Sequence, residues 1–123
     1  RRLVFGLLLS ALAWAQPETL TRLGQEYQEL RKQPGHFTGG GQWNAAVDKW
    51  GGRKHQVMGQ LAELLKGQST ELLLSTMAGP DRRYPTPDGR VRWVYYWRGG
   101  HDYLFFDCRA SHIERVDWWM AGE

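Results

Sequence analysis

The chain has 123 residues, which is room for one domain and not two. Its formal charge of +3 falls to +1 without residues 1–15, which hold Arg1, Arg2 and no acid, and a domain so near neutrality has no bulk attraction for nucleic acid. Cys108 is the only cysteine, which excludes an internal disulfide.

Residues 1–15 read as a secretory signal peptide. Arg1-Arg2 is a basic start, Leu3 to Leu12 an apolar run, and Ala13-Trp14-Ala15 a small-residue cleavage pattern. The run is shorter than the roughly 20 residues a bilayer span needs. The alternative is a buried N-terminal helix. The first reading places the mature chain, from Gln16, outside the cytoplasm, periplasmic or secreted, with no stable membrane anchor.

Residues 16–42 read as a surface helix followed by a glycine-rich linker. Leu20, Leu23, Tyr27 and Leu30 recur at helical steps, and Pro34-Gly35 stops the pattern. Gly39-Gly40-Gly41 has no preceding strand and no following Lys-Ser or Lys-Thr, so a phosphate loop is not indicated.

Residues 43–123 read as the α+β domain. Trp43 to Trp50 forms a short helix ended by Gly51-Gly52, and Arg53 to Lys66 a second with Val57, Leu61, Leu64 and Leu65 at core spacing. Ser69 is a candidate N-cap for a third, which Gly79-Pro80 terminates. Arg82 to Gly89 is polar and rich in turn residues, and predicts a loop. Val91, Trp93, Tyr95 and Trp97 then alternate with Arg92, Val94, Tyr96 and Arg98, and Leu104, Phe106 and Cys108 stand opposite Tyr103, Phe105, Asp107 and Arg109. That period of two marks strands with one drier face, joined at Gly99-Gly100. His112 to Trp119, with Val116 and Trp118 in phase, is a third strand. Cys108 reads as a small buried hydrophobe among aromatic neighbours.

The order Gly67, Ser69-Thr70, Leu73, Met77, Gly79-Pro80-Asp81, Trp93-x-Tyr95, Leu104-x-Phe106 resembles the small β-barrel-assembly lipoproteins, the BamE (SmpA/OmlA) family. The likeness covers about residues 54–119. It implies a two-layer α+β fold, like one repeat of β-lactamase inhibitor protein, with helices on one face of a three-stranded antiparallel sheet. It implies no catalytic residues. Lipoprotein signals end in a Cys, whereas this one ends Ala13-Trp14-Ala15-Gln16, so no lipid anchor is expected. The N-terminal helical segment from Trp43 to His55 is extra to the family's core.

That extra segment supplies the candidate binding residues: Trp43, Asn44, Asp48, Trp50, Arg53, Lys54 and His55. Asn44 and Asp48 share a helix face, and Arg53 to His55 open the next helix, where backbone N–H groups favour an anion. The alternative has Asp48 paired with Arg53 or Lys54 and the tryptophans capping the core. The four histidines lack metal-ligand spacing, so no metal or other cofactor is expected. His101-Asp102 and His112-x-Glu114 lie on adjacent strands and could converge. The composite expectation is a non-enzymatic protein-interaction or scaffold module whose partner is another protein. The alternative is a secreted small-ligand or carbohydrate-binding domain using Trp43, Trp50 and the Asn44, Asp48, His55 cluster.

Overall fold

The computed structural model describes residues 18–122; the segment read as a signal peptide, 1–15, lies outside them. Helix α1 (18–30) turns the stripe of Leu20, Leu23, Tyr27 and Leu30 into the common core, where all four are buried. A 3₁₀ turn (His36–Thr38) and the short helix α2 (Ala45–Asp48) follow. Helices α3 (Arg53–Leu65) and α4 (Thr70–Met77) match the spacing of their apolar residues. Ser69 caps α4 by accepting from the Leu72 N–H at 3.0 Å.

The sheet has four strands where three were expected. Its order is β1 (Arg82–Pro85), β2 (Val91–Trp97), β3 (Gly99–Arg109), β4 (His112–Trp119), all antiparallel. The expected loop at Arg82 to Gly89 thus contains an edge strand and a turn. Pro85 is tolerated because it pairs with Val91 at the sheet edge and the strand's last position. Thr86 N–H then donates to the Arg90 carbonyl at 2.8 Å and closes the hairpin.

One face of the sheet meets the helices. Trp93, Tyr95, Trp97, Leu104, Phe106, Cys108 and Ile113 share a core with Val57, Met58, Leu61, Leu65, Leu73 and Met77. A bulge lets Ile113 join Val116 and Trp118 on that face: Asp107 pairs with Arg115 but Cys108 with Ile113, so Glu114 has no opposite residue. The hairpin at Gly99 is shaped by more than the turn. Gly99 has φ +56, and a Cβ there would overlap the Phe37 carbonyl oxygen.

The helix-free face is closed by its own side chains. Asp107, fully buried, takes a bidentate pair from Arg92 at 2.7 and 2.9 Å. The Arg92 and Arg115 guanidinium carbons lie 3.9 and 5.5 Å from the Phe105 ring centroid. Trp119 stacks on Tyr103 on this face and stays 54 % exposed.

Candidate functional site

The glycines after α2 decide how residues 43–55 are presented. Gly51 adopts φ +77, which only glycine takes freely, and the chain reverses to start α3. Its N–H donates to His55 Nδ1 at 2.9 Å. The imidazole therefore carries its proton on Nε2, the tautomer this bond requires. The reversal lays the Trp50 ring beside the first turn of α3.

His55 then becomes the centre of an aromatic cluster. Its ring stacks on Trp97 with centroids 4.1 Å apart and planes 10° apart. Trp50 meets His55 edge-on at 5.1 Å, and Trp118 does so at 5.2 Å. Trp97 is fully buried beneath, its indole N–H donating to the Val47 carbonyl at 2.9 Å. Trp50 is 62 % exposed. Burial pushes the His55 pKa below its ordinary value, Arg98 lowers it further and Asp102 opposes. At neutral pH the cluster is thus an uncharged aromatic surface standing on a core tryptophan.

The other expected site residues divide between fold and surface. Asn44 is the N-cap of α2, and its amide also donates to Gln33 Oε1 and the Pro34 carbonyl, both at 3.1 Å. Asp48 is fully buried, and its Oδ2 accepts from the His36 and Asn44 N–H groups, each at 2.8 Å. Burial raises its pKa, but the backbone N–H groups of Asn44, His36 and Phe37 outweigh that and hold it below the usual carboxylate range. Arg53 reaches Glu26 on α1, with Nη2 2.6 Å from Oε1. Trp43, 59 % exposed, borders a cleft of about 300 Å³ beside Pro34, Gly40 and Gln42.

Lys54 turns inward. It is 2 % exposed, and its Nζ donates to the Trp97 carbonyl at 2.8 Å. It lines a cleft of about 360 Å³ with Arg31, Asp81, Phe37, Tyr96 and Gly99. Arg31 and Asp81 are an ion pair at 3.2 Å, and Asp81 also accepts from the Tyr96 N–H at 2.7 Å. Arg31 lies just past the apolar stripe of α1 and Asp81 just past the Gly79-Pro80 stop. Their meeting spans fifty positions and leaves no local signature.

The histidine pairs do not converge. His101 precedes the paired body of β3, whereas His112 sits opposite Arg109 at its far end. Asp102 is buried and accepts from Arg98 Nε at 2.7 Å and from the Ala121 N–H at 2.9 Å. Cys108 is buried, and desolvation pushes its thiol up to about 11. Among the described residues no three His, Cys, Asp or Glu side chains could hold a metal ion, and no helix is long and apolar enough to cross a membrane.

Comparison with protein-family models, with curated proteins and with solved structures returns no match.

Proposed function

We propose that the chain is an exported, non-enzymatic protein-interaction module whose contact surface is the aromatic face of Trp50, His55 and Trp118. One observation carries this reading: Trp50 is 62 % exposed yet its ring is set against His55 and Trp97. A tryptophan presented this way brings a large contact area and has little rotamer freedom left to lose on binding. The nearby polar groups of Asn44, Asp48 and Arg53 are spent on the fold. Export rests on the pattern of residues 1–15. A place in the cell envelope rests on the resemblance to the β-barrel-assembly lipoproteins.

A carbohydrate-binding domain is the second reading. It is favoured by Trp43, whose exposed ring borders the Asn44 cleft as a stacking platform would.

Capture from an envelope extract separates the two. The wild-type chain should retain a defined protein that Trp50→Ala loses by about 30-fold in affinity, the roughly 2 kcal/mol of a hot-spot residue, and that Trp43→Ala keeps. Binding to a glycan surface that fails with Trp43→Ala would establish the carbohydrate reading instead.

A further inference from the structure

The chain holds four lysines: Lys32, Lys49, Lys54 and Lys66. Three are exposed, and Lys54 alone is buried. A buried amine is costly unless its N–H groups find acceptors, and the Trp97 carbonyl takes only one of them. No carboxylate forms an ion pair with Lys54 among the described residues; the nearest cleft carboxylate, Asp81, is engaged with Arg31 and the Tyr96 N–H. The cleft beside it has room for a small molecule, about 360 Å³, and is walled by Phe37 and Tyr96.

We propose that this cleft is a covalent site for a small aldehyde, whose carbonyl carbon is attacked by Lys54 Nζ to form an imine. A lysine becomes nucleophilic when it is desolvated or placed near another cation. The first condition holds at Lys54. Burial is the larger cause and Arg31 adds to it, against Asp81 and Asp48, so the amine is lowered to about 8. Near pH 8 about half of it is therefore neutral, whereas a solvated lysine of pKa ~10.4 has ~0.4 % free amine.

The chemistry balances without a further reagent. The nitrogen lone pair forms the C–N bond as the carbonyl π pair moves to oxygen. A proton passes from nitrogen to that oxygen, giving a carbinolamine, and Asp81 lines the same cleft where water can relay it. The hydroxyl then leaves as water while the C=N bond forms. Nothing is oxidised or reduced. The cleft shares no lining residue with the aromatic face of Trp50, His55 and Trp118, so the two sites succeed or fail independently.

Reductive trapping tests this on the intact chain. The folded protein is treated with limiting propanal and cyanoborohydride near pH 8, and the alkylated lysines are quantified by peptide mapping. Lys54 should be alkylated at least about ten-fold faster than Lys32, Lys49 or Lys66, despite its burial. The preference should disappear in urea, where all four lysines are solvated. Labelling of Lys54 at or below the rate of the exposed lysines in the folded protein would overturn the proposal. No variant is needed, so a folding defect cannot obscure the result.

Discussion

Asp48 shows how a single side chain orders a glycine-rich stretch. Its carboxylate binds backbone N–H groups at positions 36 and 44 and so holds the 3₁₀ turn against α2. Such charge-assisted bonds contribute about 1.5–3 kcal/mol each, and removing the acceptor strands buried donors. Asp48→Ala should therefore lower stability by roughly 3 kcal/mol in urea denaturation; a loss under about 0.5 kcal/mol, the range of ordinary surface changes, would show that the carboxylate is not anchoring the loop. The folded pKa lies below the unfolded value near 3.8. The stabilisation is thus complete above that value and fades as pH falls through the lower folded one, so wild type and variant should converge in acid. Cys108 gives a second test at this scale. With its thiol buried and raised to about 11, it should not react with a disulfide reagent near pH 8 until the chain is unfolded. Sequence proximity had grouped Asn44, Asp48, Arg53, Lys54 and His55. It could not show that four of these turn to backbone carbonyls and N–H groups, because such partners carry no residue-type signature.

Helix packing turns on two glycines of opposite character. Gly24 lies where α1 crosses α4, and a Cβ there would overlap the Thr76 carbonyl oxygen. Gly59 lies mid-way along α3, and a Cβ there would meet nothing within 4 Å. Alanine is favoured over glycine in a helix by about 1 kcal/mol at both positions. At Gly24 the backbone overlap, for which about 1–3 kcal/mol is typical, outweighs that gain, so Gly24→Ala should lower Tm and Gly59→Ala should raise it. Equal shifts in parallel thermal melts would mean that the α1–α4 crossing is looser than described. The strand pattern explains what was legible at this scale. β2 and β3 each carry one dry row of alternate residues, readable from Val91 to Trp97 and from Leu104 to Cys108, although Val94 and Phe105 between them are buried as well. β1 has four mostly exposed residues, the last of them a proline, so nothing in it alternates. Ile113 is out of phase with Val116 and Trp118, and only the bulge at Glu114 reconciles them.

At the level of the molecule, one helical layer covers one sheet face, and the apolar spacing of α1, α3 and α4 made that layer readable. The aromatic face was half readable. Trp50 and His55 were singled out from sequence, but Trp118 lies more than sixty positions away and joins them only through the sheet. The proposed function requires that face to be the contact surface. Its most direct test is oxidative footprinting of the chain with and without the bound envelope protein. Trp50 and Trp118 should be protected in the complex, while Trp43 and Trp119 oxidise at their free rates. A complex in which Trp50 oxidises as fast as in the free chain, with protection at Trp119 or Trp43 instead, would contradict it.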